Sequence, residues 1–311
     1  MDLDVSTPRI TVLLATHNGL RWLPEQLDSI LSQEGVEVGV TVLDDMSTDG
    51  TYEWLLDQAA KDPRLTVLPR QGSSGGAAAN FYRLLDAVDI DSQDCDLIAL
   101  ADQDDLWLPG KLAAQADLVR TRALDGISSN VTAFGEDGSR SLIKKDYPQR
   151  RLDYLLESPG PGSTFLLTPR LVRECRQAVA AHQDAPMEFH DWLIYGVCRA
   201  LGWRWLIQPV PTVDYRQHES NAFGANTGVR SALSRIGLIN QKWHRAEAIK
   251  MARVAVSVAS PDRLRELDPV LSDLTARGFG PRLRLVRLAP QLRRRPRDRV
   301  LIAGLILIGM W

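Results

Sequence analysis

The sequence predicts an α/β fold, a mostly parallel central sheet flanked by helices, followed by a helical, basic C-terminal extension. Three observations carry this. Short β-branched and apolar runs alternate with helical patterns through the first 125 residues, which is how right-handed βαβ units read. Carboxylates and small polar residues gather directly after the apolar runs, at the edge where open α/β sheets place ligands. Beyond residue 226 the pattern turns helical and rich in arginine.

The elements follow in order. Residues 10–16, Ile-Thr-Val-Leu-Leu-Ala-Thr, read as a buried strand. Pro24 suits the first turn of a helix that runs through Gln33, with Leu23, Leu27, Ile30 and Leu31 at helical spacing. Residues 36–43 are the second strand, 44–50 a turn of Asp, Ser and Thr, 51–60 a helix and 65–68 a strand. The loop Gln71-Gly-Ser-Ser-Gly-Gly76 opens a helix over 76–88, and residues 96–100 form the strand that delivers Asp102-Gln-Asp-Asp105. Helix Lys111–Arg122 comes next. Residues 127–134 return to the sheet, and 135–148 make a polar, basic loop. Ser158-Pro-Gly-Pro-Gly-Ser163 is turn material before a short strand over 164–168. Helices Pro169–Ala181 and 189–201 and strands over 203–207 and 212–216 follow.

Composition sets outer bounds. With 44% hydrophobic and 24% charged residues, the 311-residue chain is an ordinary globular protein. Its net charge of −2 excludes a general nucleic-acid binder. Cys95, Cys175 and Cys198 are few and widely spaced, as buried thiols of a reducing compartment are. The opening Met-Asp-Leu-Asp-Val lacks the basic and apolar regions of a secretory signal, so the cytoplasm is expected. Eight arginines lie between Arg282 and Arg299 against one acid, Asp298, and the apolar tail 300–311 follows. That tail is too short to span a bilayer, which takes about 20 apolar residues. It reads as a peripheral contact with the inner face of the cell membrane, or as a final helix packed on the domain.

Chemistry gathers after the strands. Asp102, Asp104 and Asp105 would repel one another unless a cation sat among them, and oxygen-rich sites suit Mg²⁺ or Mn²⁺ shared with substrate phosphates. The ordinary alternative is a polar loop whose acids cap helix Lys111–Arg122. Thr16, His17 and Asn18 end the first strand and can meet a base or ribose, or simply form a turn. Asp44 and Asp45 precede the next helix cap, and a carboxylate there can accept the imide N–H of uracil or thymine. The loop 71–76 can attract phosphate, although it matches neither a dinucleotide fingerprint nor a P-loop, and Asn80 one turn later would lie near the donor. Asp191 suits a general base, or a dipole-stabilised acid of a helix first turn. His218 can join Asp104 on a cation, or serve structure alone.

Taken in order, Thr16-His-Asn-Gly, Asp44-Asp-Met-Ser-Thr-Asp-Gly-Thr51, Asp102-Gln-Asp-Asp-Leu-Trp107, His190-Asp-Trp192 and Tyr215-Arg-Gln-His218 resemble family 2 glycosyltransferases of the GT-A fold. Within that family they are most similar to bacterial rhamnosyltransferases of cell-wall and O-antigen polysaccharide. The resemblance covers residues 10–226 and implies a Rossmann-like sheet. It implies a domain over 1–226, with a nucleotide-sugar-binding half (1–125) and an acceptor-binding half (126–226), before a helical extension over 227–311. It also implies roles: Asp45 on the pyrimidine with Thr16 nearby, Asp102 on the ribose, Asp104 and His218 on the metal, and Asp191 as catalytic base. His17, Asn18, Asn80 and Gln103 complete the donor-binding set. Three positions depart from the family's pattern: His17 in place of Tyr, Met46 in place of Gly, and Leu193 in place of a second Trp.

The expected reaction is an inverting, metal-dependent transfer of a sugar from dTDP-rhamnose or a UDP-sugar to a hydroxyl of a glycan or lipid-linked oligosaccharide. A nucleotidyltransferase that makes the sugar nucleotide is one alternative, but would carry a basic, Gly-rich phosphate loop where residues 15–22 have only Arg21. A non-catalytic sugar- or nucleotide-binding module is the other.

Overall fold

A computed structural model describes residues 7–91, 95–218 and 243–311. A seven-stranded sheet forms its centre, built from β1 (Arg9–Thr16), β2 (Glu37–Asp44), β3 (Leu65–Val67), β4 (Leu97–Asp102), β6 (Gly126–Ser129), β9 (Leu166–Leu167) and β10 (Trp205–Gln208) in the order β10-β6-β9-β4-β1-β2-β3. Every pairing is parallel except those of β9, which runs against both β4 and β6. Alternate side chains of β1 enter different cores: Ile10, Val12 and Leu14 on one face, Leu13 and Ala15 on the other. Register then decides where chemistry can occur. Thr16 pairs with Asp44 and Ala15 with Asp102, so three strands deliver their polar ends to one rim.

Helices α1 (Leu23–Leu31), α2 (Thr51–Ala59), α3 (Ala77–Ala87), α4 (Lys111–Arg122) and α5 (Pro169–Ala181) connect these strands. A smaller sheet, in the order β5-β11-β7-β8, joins β5 (Leu106–Trp107), β7 (Val131–Gly135), β8 (Arg140–Ile143) and β11 (Val213–Gln217). Two expectations are corrected here. Residues 127–134 are not one strand returning to the sheet but parts of β6 and β7, which belong to different sheets. The break is Asn130, a buried hub. Its amide N–H₂ donates to Asp146 (3.0 Å) and Pro209 O (2.8 Å), and its oxygen accepts from the N–H groups of Lys145 (2.6 Å) and Asp146 (3.1 Å). The polar stretch 135–148 is likewise not all loop, because β8 pairs with β7 at the edge of the smaller sheet.

Helix α6 (His190–Ala200) packs against α7 (Trp243–Val258), and α8 (Pro261–Thr275), α9 (Phe279–Leu292) and α10 (Pro296–Ile308) complete the helical layer. Gly196 permits the close α6–α7 approach, since a Cβ there would lie 2.3 Å from the Met251 sulfur. Trp192, Tyr195, Met251, Leu274, Leu285 and Ile306 belong to one continuous core with the sheet face that carries Leu13 and Ile98. The boundary expected at 226/227 lies outside the described residues.

Candidate active site

The β1–β2 end of the rim is built first. Asp44 is buried and fully engaged: it accepts from the Thr16 hydroxyl (3.1 Å), from the Ser47 N–H (3.0 Å) and from the Ser47 hydroxyl, and it pairs with Arg70 at 2.7 Å. Arg70 also donates to Ser47 O (2.9 Å) and lies over Tyr52. A buried carboxylate held by so many donors is structural. Asp45 stands apart from that network. Its carboxylate accepts from the Ser74 N–H and from the Ser74 hydroxyl (2.8 Å), so the glycine-rich loop folds over it.

His17 turns Nδ1–H onto Asp45 O (2.7 Å), leaving Nε2 to accept from the Asn18 amide (3.2 Å). Asn18 itself accepts from the Thr48 N–H (2.8 Å). Gln103 clamps the other side, accepting from the His17 N–H (2.8 Å) and donating to His17 O (2.9 Å). Gly19 makes room for that clamp, because a Cβ there would fall 2.1 Å from the Gln103 Oε1. Asn80 is buried one turn into α3 and donates to Leu43 O (3.0 Å), at the base of the same rim.

β4 delivers the acidic run into the middle of the rim. Burial pushes the Asp102 carboxyl up to about 7, with the charges of Asp104 and then Asp191 adding to it. Asp105 is 0% exposed and also raised, by burial and then by Asp104 and Asp102. β11 secures this turn: the Arg216 N–H donates to Asp105 (3.2 Å), and its guanidinium donates to Asp104 O (2.8 Å) and to Glu25 (2.7 Å). His218, just past β11, stacks on Trp22 at 4.1 Å and lies 2.7 Å from the Asp104 carboxylate. The described residues contain no preformed group of three metal-ligating side chains. Asp104 and His218 nevertheless offer one oxygen and one imidazole ligand beside a crowded set of carboxylates. Such an open pair fits a cation that takes its remaining ligands from water and substrate phosphates.

Asp191 stands in the first turn of α6. It accepts from its neighbour's N–H, Trp192 (2.7 Å), and from the Ser158 hydroxyl (2.8 Å). Burial raises its pKa, partly offset by the Ser158 bond, the Trp192 N–H and the charge of Lys145. Its charge also raises Asp102, after burial and Asp104, so the two carboxylates lie within electrostatic reach of each other. His190 next door plays no part there. It stacks on Phe81 at 3.9 Å, and burial lowers its pKa to about 3, which keeps it neutral.

The structure therefore gathers Thr16, His17, Asn18, Asp45, Asp102, Gln103 and Asp104 along one rim, brings His218 to Asp104, and leaves Asp191 within electrostatic reach of Asp102. Asn80 lies beneath rather than within the cleft. Ser74, Arg70, Ser158 and Lys145 were not singled out by sequence reasoning. Only Ser74 carried a signal, as part of the loop 71–76. A cavity of about 410 Å³ adjoins Asp191 and includes Ser158, Lys145, Trp192, Trp243 and Arg294 in its wall.

Known proteins match this chain in sequence and fold. The family model for glycosyl transferase family 2 matches residues 11–171. A dTDP-rhamnosyl transferase of Shigella flexneri, RfbG, is 31% identical over 301 residues, which is 96% of this chain and 100% of that protein. A UDP-Glc:alpha-D-GlcNAc-diphosphoundecaprenol beta-1,3-glucosyltransferase of Escherichia coli, WfgD, is 22% identical over 59% of this chain and 68% of its own length. Among solved structures, TarS 1-349 of S. aureus in complex with UDP-GlcNAc superposes with a TM-score of 0.58 at 16% identity, over 97% of this chain and 81% of that one. The mannosyltransferase PcManGT of Pyrobaculum calidifontis, in complex with GDP-Man and Mn²⁺, gives 0.50 at 18% identity over 98% and 86%. These matches set aside the nucleotidyltransferase and the non-catalytic module: the chain belongs to glycosyl transferase family 2 and is a glycosyltransferase of the GT-A fold.

Proposed function

We propose that this enzyme moves a rhamnosyl group from dTDP-rhamnose, with a UDP-sugar as the alternative donor, to a hydroxyl of a glycan or lipid-linked oligosaccharide. The transfer inverts the anomeric carbon and depends on Mg²⁺ or Mn²⁺. One observation carries the mechanism: a half-buried carboxylate, Asp191, is held in a fixed direction by the Ser158 hydroxyl and the Trp192 N–H within electrostatic reach of the acidic rim. The full-length likeness to a dTDP-rhamnosyl transferase supports the choice of donor.

A pyrimidine would offer its imide N–H to Asp45, sharing or displacing the Ser74 hydroxyl. Asp102 would take the ribose. Asp104 and His218 would hold the cation, which when bound neutralises the charge growing on the departing diphosphate. Ser158 and the Trp192 N–H fix the direction of the Asp191 carboxylate, and burial makes it more basic than an exposed acid. An acceptor hydroxyl hydrogen-bonded to Asp191 gives it a proton as its oxygen attacks the anomeric carbon. The bond to the diphosphate oxygen breaks on the opposite face. That geometry is a single displacement and gives inversion.

The test is Asp191→Asn, which keeps the shape and removes the base. Calorimetry with dTDP-rhamnose should give unchanged donor affinity, strengthened by Mn²⁺ as in the parent. Transfer should fall by about 10²–10⁴-fold. Turnover at the parental rate would remove Asp191 from its role. The same reading places the enzyme on the inner face of the cell membrane, held by α10 and the arginines before it.

A further inference from the structure

We propose that the cleft wall beside Asp191 is a subsite for a phosphate or diphosphate group of the acceptor, formed by Lys145, Arg293, Arg294 and Arg295. The inference deepens the transferase reading and rests on Asp191 marking the acceptor side.

The wall holds more cationic hydrogen-bond capacity than the protein uses. Arg294 is 3% exposed, yet its Nη1 has no hydrogen-bond partner among the described residues. The Arg293 Nε is in the same condition. The other end of Arg293 has Glu157 at 3.8 Å and one mismatched contact. The Trp311 indole N–H donates to His244 Nδ1 (2.9 Å), so the remaining ring proton sits on Nε2, where Leu156 O accepts it (3.0 Å). Arg293 Nη2 lies 2.9 Å from that same Nε2, so a guanidinium N–H meets another N–H rather than a lone pair. The Lys145 ammonium makes no hydrogen bond among the described residues, although its backbone is pinned by Asn130. Arg295 has the Tyr147 ring at 5.8 Å and no carboxylate partner among the described residues.

Nearby acids do not balance this set. Glu157 is shared between Arg293 (3.8 Å) and Arg294 (3.4 Å), and Asp153 lies 3.7 Å from Arg294 but is also held by Arg199 and the Tyr195 hydroxyl. Asp298 lines the cavity but pairs with Arg297, and Lys144 already has Asp146. Burial lowers the pKa of both Lys145 and Arg293; at Lys145 the charge of Arg294 adds to this, whereas at Arg293 Glu157 and Asp298 oppose it without cancelling it. Cationic donors withdrawn from water without a full set of partners are costly, and an arriving anion offsets that cost. A phosphate has the oxygens to accept from several guanidinium and ammonium donors at once, which one sugar hydroxyl cannot do. Lys145 is close enough for its charge to favour the Asp191 carboxylate, so the bound phosphate would sit beside the sugar presenting its hydroxyl.

The test uses inorganic pyrophosphate, titrated calorimetrically into the full chain in EDTA so that no cation bridges it to the donor rim. The parent should bind one equivalent. Lys145→Gln, which breaks no side-chain hydrogen bond, should weaken binding at least tenfold, and Arg293→Gln should do the same, with folding checked by circular dichroism. Asp104→Ala should bind as the parent does. No binding by the folded parent, or equal binding by Lys145→Gln, overturns the subsite. Competition then separates two sources of the same chemistry: displacement by farnesyl diphosphate indicates a lipid diphosphate, and displacement by glycerol phosphate a phosphate-containing polymer. Failure of Asp191→Asn to lose transfer, with pyrophosphate binding still dependent on Lys145, would overturn the catalytic reading and leave the anion site standing.

Discussion

At the scale of single residues, Met46 shows why a family pattern has a physical cause. Its φ is 61°, the left-handed region that glycine enters freely and a side chain enters at a cost of about 1–2 kcal/mol. Met46 is 41% exposed, so its side chain recovers little by burial. Replacing it with glycine relieves that strain but frees the unfolded chain, which costs about 0.4–1 kcal/mol. The first effect is the larger, so Met46→Gly should stabilise the protein by up to about 1 kcal/mol in urea unfolding. A loss of stability would show that the Met46 side chain makes a contribution beyond its contacts here. The acids Asp45, Asp102, Asp104 and Asp191 were legible because each sits beside a strand or helix signal in the sequence. Ser158 and Lys145 were not, since each meets its partner only through folding: Ser158 reaches Asp191 across 33 positions.

Among the elements, α4 carries a buried charge that its pattern conceals. Lys111 opens the helix, is almost wholly buried, donates to Gln115 (3.0 Å) and lies over the Trp107 ring at 4.1 Å. Burial alone lowers its pKa to about 7. In the unfolded chain a lysine keeps its proton to about pH 10.4. Between those values the unfolded state binds more protons, so stability rises with pH and is lost again as pH falls toward 7. The slope approaches about 1.4 kcal/mol per pH unit within the window. Lys111→Met should flatten the climb between pH 7 and 9 and raise stability at pH 7, read by urea unfolding at each pH. Parallel pH profiles for the two proteins would contradict this. β1, a β-branched and apolar run, and α5, whose Pro169 marks the first turn, were readable from sequence. The β7–β8 pair was not, because β8 is a mostly exposed edge strand with no apolar alternation. The hub at Asn130 looked like one more polar residue in an apolar run.

Over the whole molecule, the helical layer and the cleft are one construction. α10 begins beside the Asp191 cavity, where Arg294 donates to Ser158 O, the residue that orients Asp191. Its inner face buries Ile302 and Ile306, while its outer face leaves Val300 76% and Leu301 59% exposed, with Leu307, Ile308 and Met310 beyond. No described helix is long and apolar enough to cross a membrane, so this face would lie on a bilayer rather than within it. Arg297 on the same helix is exposed and would meet anionic headgroups. Removing two apolar contacts of this size weakens adsorption by about tenfold or more. Val300→Asp with Leu301→Asp should therefore cut sedimentation with phosphatidylglycerol vesicles by about that factor, with the melting temperature unchanged because both side chains already face solvent. High salt should weaken the parent's binding without abolishing it, since the apolar term survives screening. If the parent failed to sediment, or the double variant sedimented equally well, α10 would be no membrane face. A lipid-borne acceptor would then have to reach the Lys145–Arg293 wall from a surface the enzyme does not touch.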